Sequence, residues 1–195
     1  MNLLRTLGGL PLFVLTGAVL SSCITPPEYP VTPEIDFKEV RVNRIPAGTQ
    51  DAVDELTFVL EFRDGDGDLG LSDDDIKVPP YNLPPQPPVP QRNQLTNDKN
   101  YFLQPFIKNS MGRFVPFITQ TPFGRLGEYD GTFLRLDGDR TKPGPIRGEL
   151  NYRFPISIDG TVFQPGQVFR FEITIMDRAL NVSNTVTTSE VTLSR

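Results

Sequence analysis

The sequence predicts an all-β domain, an antiparallel β-sandwich, and three observations support this. Apolar and polar residues alternate with a period of two in several segments, which is typical of strands with one buried face. Asp-Gly and Pro-Gly dipeptides, which supply the backbone conformations of tight turns, separate these segments. No segment of ten or more residues shows helical periodicity in the chain of 195 residues. Many short strands with frequent turns pack as two sheets.

Three segments carry the clearest alternation, and shorter strands are predicted around them. The apolar positions of one face are Leu56, Phe58, Leu60 and Phe62, then Leu150, Tyr152, Phe154, Ile156 and Ile158, then Phe169, Phe171, Ile173 and Ile175. The shorter strands are predicted at 35–42, 101–108, 113–118, 132–136 and 184–193. Only 50–56 and 72–76 could hold a helical turn or two.

The N-terminus is interpreted as a lipoprotein signal peptide over residues 1–22. Arg5 precedes an apolar run of about 14 residues, which is too short to cross ~30 Å of hydrocarbon as a helix. The sequence Leu20-Ser-Ser-Cys23 resembles the bacterial lipobox, which implies cleavage before Cys23 and lipid on its thiol. Two or more acyl chains give stable anchoring. The alternative is an ordinary signal peptide followed by an incidental Cys.

Two Pro-rich stretches flank or interrupt the predicted domain over 34–195. Residues 23–33, called the tether below, contain four prolines after Cys23, which favour extended backbone and oppose helix. The second stretch, near 78–92, is interpreted as a mobile surface insertion, because seven prolines between 79 and 90 do not fit a central strand. The alternative is a polyproline ligand for an aromatic groove on a partner.

The composition excludes several kinds of chemistry. The chain has no His and a single Cys, so Ser-His-Asp and Cys-His catalysis and metal sites built on imidazole are excluded. A formal net charge of −5 argues against nucleic acid as a partner. Any metal ligands must be oxygens, which favour calcium or magnesium.

The most specific chemical feature is the acidic loop, residues 64–75, directly after the first strongly alternating segment. Acids stand at positions 1, 3, 5 and 12 of a calcium-loop spacing, namely Asp64, Asp66, Asp68 and Asp75. The loop departs from the EF-hand because Leu69 replaces the required Gly, position 12 is Asp rather than Glu, and no helices flank it. A calcium-binding β-loop and a solvated Asp-Gly turn both remain open.

The C-terminal segment 164–184 resembles the closing hairpin of bacterial immunoglobulin-like domains. In those domains a strand ends in Asp and a turn rich in Asn and Ser follows; here these residues are Asp177, Asn181, Ser183 and Asn184, with Leu180 where many relatives have Gly. Together with the lipobox and Asp-Gly-Asp-Gly-Asp, the chain resembles exported lipoproteins of Bacteroidota over residues 1–76 and 145–195. The resemblance implies an immunoglobulin-like β-sandwich.

That topology implies one shared site. If 55–63 and 167–176 are the second and sixth strands of such a domain, the loops after them lie at one end of the sandwich. Asp64, Asp66 and Asp68 then approach Asp177 and Asn181. We therefore predict a shared calcium site from these residues and Asp75.

The predicted function is a non-enzymatic binding or structural module of the cell envelope, held at the membrane, most simply the outer membrane, by lipid on Cys23. Its partner is then an envelope protein or glycan. One alternative is a subunit of an outer-membrane assembly. The other is a glycosidase that uses only carboxylates, as paired Asp or Glu residues can do.

Overall fold

The computed structural model describes residues 27–48, 51–92, 94–120, 122, 124–138 and 142–194. These residues form two antiparallel sheets that pack against each other, which confirms the all-β sandwich. The strands are β1 (Glu34–Ile45), β2 (Ala52–Asp64), β3 (Tyr101–Lys108), β4 (Phe114–Pro116), β5 (Ile146–Ile158), β6 (Val168–Ile175), β7 (Val186–Thr187) and β8 (Val191–Thr192). Within the described ranges the one helical element is a 3-10 turn at Asp75–Lys77.

The first sheet has the order β1-β2-β5, with β2 in the centre. The strand β2 pairs with β5 without interruption from Ala52 opposite Ile158 to Asp64 opposite Ile146. Its pairing with β1 shifts register between Phe37 and Glu39. The acidic loop therefore begins at the last paired residue of the central strand, where the sheet fixes the backbone.

The second sheet has the order β4-β3-β6-β7, and β8 also pairs with β6. The sequence predicted one strand over 184–193, and the structure divides it in two. Between the two pieces, the amide of Phe171 donates to Thr188 Oγ1 over 3.0 Å, and the amide of Thr188 donates to the Phe171 carbonyl over 2.9 Å. A Thr hydroxyl thus replaces one carbonyl of the ladder.

The core lies between the sheets, where the predicted apolar faces meet. Phe58 of the first sheet packs on Phe171 of the second with ring centroids 4.9 Å apart. Tyr101 and Tyr152 also meet across the sandwich, but stacked face to face, with centroids 3.7 Å apart and planes at 9°. Phe169, Phe171, Ile173 and Ile175 are all fully buried, as the alternation of β6 predicts.

The strand order is compatible with the immunoglobulin-like assignment. The first, second and fifth strands form one sheet, and the third, sixth and seventh belong to the other. Immunoglobulin domains place their A, B and E strands and their C, F and G strands in the same way. The β-sandwich is confirmed, and the narrower assignment stays a prediction.

Two local predictions were wrong. Residues 132–136 form no strand, although Phe133 is buried and Leu134 is 70 % exposed. The backbone of this segment makes two separate hydrogen bonds to the acidic loop, from the Leu71 amide to the Phe133 carbonyl and from the Leu136 amide to the Leu69 carbonyl, and forms no continuous ladder. The segment 50–56, considered for a helical turn, instead contains the start of β2 at Ala52.

The Pro-rich insertion also differs from the expected mobile segment. Tyr81 and Val89 are 6 % and 2 % exposed. Val89 packs with Phe102 and Met176 in a small second core, and the Tyr81 hydroxyl donates to the Arg178 carbonyl over 2.5 Å. The insertion is therefore packed against the turn after β6.

The membrane-anchor predictions lie outside the described residues. The signal peptide, Cys23 and the first part of the tether precede Pro27. In the part of the chain that the structure describes, no helix combines the length and the apolar character needed to cross a membrane.

Candidate metal centre

The acidic loop and the turn after β6 lie at the same end of the sandwich. Asp64 is the last residue of β2, and Asp177 follows β6 by two residues. The two segments contact each other through their backbones, because Leu69 forms an isolated antiparallel bridge with Asp177. In addition, the amide of Arg178 donates to the Asp68 carbonyl over 3.2 Å. This backbone contact brings acids from two distant parts of the sequence together.

Four carboxylates form a compact group that could hold a metal ion. Asp64, Asp66, Asp68 and Asp177, called the four-Asp cluster below, each contribute one oxygen, and these oxygens all lie within 4.8 Å of one another. Asp64 and Asp177 are 0 % and 1 % exposed. The Oδ1 atoms of Asp64, Asp66 and Asp68 are buried and accept no hydrogen bond from the described residues. Buried carboxylate oxygens without a donor are the kind that a cation satisfies.

The backbone of the acidic loop curls so that alternate Asp side chains converge. Asp64 Oδ2 accepts a hydrogen bond from the amide of Asp68 over 2.9 Å, which closes the loop on itself. Gly67 has a φ of 74°, in the left-handed region that favours glycine. A Cβ on Gly67 would also lie 2.2 Å from the Gly144 carbonyl oxygen. The Asp-Gly alternation thus has a direct structural reason.

Asn181 positions Asp177 within the cluster. The Asn181 amide donates to Asp177 Oδ1 over 2.7 Å, and Asn181 Nδ2 donates to Oδ2 over 2.8 Å. The turn between them places Leu180 at a φ of 68°, in the left-handed region that favours glycine. Both oxygens of Asp177 keep lone pairs for a cation.

The carboxylates repel one another in the absence of a cation. Burial, followed by the charges of Asp66 and Asp68, raises the pKa of Asp64 to about 7. Burial and the charge of Asp177 raise the pKa of Asp68 to about 6. Burial is also the main reason that the pKa of Asp177 is raised. Each raised pKa reflects the free energy needed to place a negative charge at this site, and a bound cation would offset that free energy.

Asp75, which the calcium-loop spacing placed in the site, lies outside the four-Asp cluster. Its Oδ2 and Oδ1 accept hydrogen bonds from Arg135 Nε and Nη2 over 2.9 and 2.6 Å. It also accepts bonds from the amide and hydroxyl of Ser72, both over 2.8 Å. The Arg135 hydrogen bonds hold the pKa of Asp75 well below its usual range. The loop leaves the EF-hand path before position 12, so the analogy fails there.

Sequence reasoning missed Arg178 and Asp137, which border the cluster. Arg178 Nη2 donates to Asp137 Oδ2, and Arg178 Nη1 donates to the Gly70 carbonyl over 3.2 Å. These two residues, together with Asp66, Asp68 and Lys142, line a cavity of about 290 Å³ beside the cluster. Arg178 directly follows Asp177, so its position beside the cluster could have been predicted from the sequence. No sequence feature near Asp137 indicates that it pairs with Arg178.

Comparisons of the chain with protein-family models, with curated proteins and with solved structures gave no match.

Proposed function

We propose that this protein is a calcium-stabilised, non-enzymatic β-sandwich that is displayed in the cell envelope through lipid on Cys23, as a binding or structural module. The observation that carries the proposal is the four-Asp cluster, in which one oxygen of each acid lies within 4.8 Å of the others. The buried Oδ1 atoms of Asp64, Asp66 and Asp68 also accept no hydrogen bond from the described residues. The lipobox and the tether support the membrane location.

The donor set favours calcium over other cations. All four side chains supply carboxylate oxygens, and the chain has no His. Calcium binds six to eight oxygens in irregular arrangements, whereas magnesium requires near-octahedral geometry, keeps several waters and usually uses only one or two carboxylates. A cluster of four acids, two of them buried and two half-buried, suits calcium on both counts.

The position of the cluster supports a structural role for the ion. It joins the loop after β2, a strand of the first sheet, to the turn after β6, a strand of the second. A cation bound there therefore connects the two layers of the sandwich at one end. This matters for an exported chain whose single Cys allows no internal disulfide.

The same geometry argues against the glycosidase alternative. A raised pKa, as Asp64 has, is what a general acid needs. Paired carboxylates of glycosidases, however, stand at least about 5 Å apart to leave room for the sugar or the water. One oxygen of each acid lies within 4.8 Å of the others, well below the inverting separation, and Asp64 and Asp177 are 0 % and 1 % exposed, which leaves these two closed to a sugar.

Calorimetry on the mature lipoprotein in detergent tests the proposal. We expect calcium to bind more tightly than magnesium, and Asp68→Asn to weaken calcium binding at least tenfold, because one charged ligand is lost. Asp73→Asn is the matched control, since Asp73 is exposed in the same loop and outside the cluster.

At a calcium concentration of about 100 Kd, the free energy of unfolding should rise by ~2.7 kcal/mol, or roughly 5–10 °C in Tm. Absence of binding heat, with melting unaltered by EDTA, rejects the proposal.

A further inference from the structure

The tether contacts the acidic loop at Gly65, which lies in the chain between two members of the four-Asp cluster. The amide of Gly65, which lies between Asp64 and Asp66, donates to the Pro30 carbonyl over 2.8 Å. The ring of Tyr29 is half-buried and lines a groove of about 550 Å³ together with Phe62 and Arg147. Pro33 is buried where the tether joins β1. The end of the tether is thus docked on the domain.

The fit at Gly65 is too close for any side chain. A Cβ at this position would lie 2.4 Å from the Tyr29 carbonyl oxygen and 2.8 Å from that of Pro30. Both neighbours are backbone atoms, so either the tether or the loop would have to move. The contact therefore requires one particular path of the loop backbone between Asp64 and Asp66.

A cation would fix that same path. With the four carboxylates charged and no cation present, repulsion favours conformations that separate Asp64, Asp66 and Asp68. A separation that involves the loop backbone moves the Gly65 amide, because Gly65 lies between Asp64 and Asp66 in the chain. Binding of a cation draws the three side chains together and holds the amide where it meets Pro30. Cation binding and tether docking then favour each other, as coupled equilibria must.

We propose that cation binding at the four-Asp cluster controls whether the tether is docked on the acidic loop, and so sets the distance and orientation of the domain relative to its membrane anchor. This inference rests on the proposed calcium site and lipid anchor. Release of residues 29–33 would lengthen the free tether by roughly 15 Å, at ~3.1 Å per residue of extended Pro-rich chain. Calcium would thus hold the domain close to the bilayer, and its loss would let the domain extend.

The absence of Trp from the chain allows a direct test. Tyr29→Trp places a single Trp in the groove beside Phe62, in the full lipidated chain in detergent. With calcium we expect blue-shifted emission and protection from acrylamide. With EDTA we expect red-shifted emission and several-fold stronger quenching.

Gly65→Ala in the same background blocks docking at its contact point and leaves every carboxylate of the four-Asp cluster in place. We expect its Trp to be quenched strongly even with calcium, and its calcium affinity to fall about fivefold through the coupling. Gly48→Ala is the control, because a Cβ there meets nothing within 4 Å. If Gly65→Ala does not fold, the comparison of calcium with EDTA in Tyr29→Trp decides alone.

The outcomes separate this inference from the proposed function. Calcium heat in calorimetry, combined with equal quenching in calcium and EDTA, overturns the coupling and leaves the calcium site standing. A Gly65→Ala chain that stays protected in calcium also overturns it. If calorimetry detects no heat of calcium binding, both the calcium site and its coupling to the tether are overturned.

Discussion

Leu69 and Asp177 form an antiparallel backbone bridge between the acidic loop and the turn after β6. Leu69 is fully buried and belongs to the main core. An EF-hand requires Gly at the position that Leu69 occupies. Here the side chain anchors the loop in the sandwich instead of permitting a sharp turn. The departure from the EF-hand pattern is therefore what attaches the acidic loop to the β-domain.

The cation-free protein should lose stability as pH rises from about 4 to about 7. In the folded state, burial raises the pKa of Asp64 to about 7 and the pKa of Asp68 to about 6, from an ordinary value of 3.8. The folded state therefore binds more protons than the unfolded state in this window, and its stability decreases with pH by on the order of a few kcal/mol. Urea denaturation in EDTA at several pH values measures this slope.

At saturating calcium, the free energy of unfolding should change little with pH above about pH 6, because the bound ion takes the place of the protons. Calcium affinity should rise over the same range, since protons compete for the same oxygens. A cation-free protein that is most stable at pH 7 or above would contradict the repulsion described for the four-Asp cluster.

Asp75→Ala should destabilise the domain without weakening calcium binding. The variant loses two hydrogen bonds to Arg135 and the bonds to Ser72. We expect a cost of about 1–2 kcal/mol, because Arg135 is partly exposed and solvent screens the pair. Chemical denaturation measures the cost, and calorimetry should show an unchanged calcium affinity. A tenfold loss of affinity would return Asp75 to the coordination shell.

Gly131→Ala should destabilise the sandwich through Tyr152. A Cβ on Gly131 would lie 1.7 Å from the Tyr152 hydroxyl oxygen and 2.8 Å from its Cζ. Tyr152 is stacked on Tyr101, so it cannot move away without disturbing the contact between the sheets. We expect a loss of about 1–3 kcal/mol. In a double-mutant cycle, Tyr152→Phe should restore part of it, and strictly additive effects would show that the clash is relieved elsewhere.

Val89→Ala should lower stability by about 1–3 kcal/mol, because it removes buried methyl groups from the contact with Phe102 and Met176. The urea midpoint should fall while the m-value stays constant. Val78→Ala is the matched control in the same insertion, where Val78 is 52 % exposed. Equal midpoints for the two variants would indicate that the insertion is mobile, as its proline content alone suggested.

The sequence predicted the long strands well, because each buries one face and therefore alternates. Phe58, Phe171 and Ile173 are fully buried on the predicted faces. The prediction of a strand at 132–136 was wrong because this short alternating segment has no partner strand. Phe133 is held by Asn100, whose Oδ1 accepts from the Phe133 amide and whose Nδ2 donates to its carbonyl. Here the hydrogen bonds of one side chain take the place of pairing with a neighbouring strand, and such bonds leave no periodic pattern in the sequence.

The site was predictable only in part, for a comparable reason. Alternate Asp residues in one loop converge by local geometry, and the assumed topology brought Asp177 to them. Asp75 was misplaced because the spacing of another fold was carried over to a loop that turns differently. The pairing of Arg178 with Asp137 joins positions 41 residues apart and depends on tertiary structure alone.

The four acids come from two distant parts of the sequence, and this separation determines at which stage of folding the cluster can form. Asp64, Asp66 and Asp68 precede Asp177 by about 110 residues, and β2 must wait for β5 to emerge before the first sheet is complete. Contacts at such separation in sequence form late and slowly. A chain that crosses a membrane unfolded would therefore pass through without its cation site. The ion would secure the finished domain on the far side and take no part in the early steps of its folding.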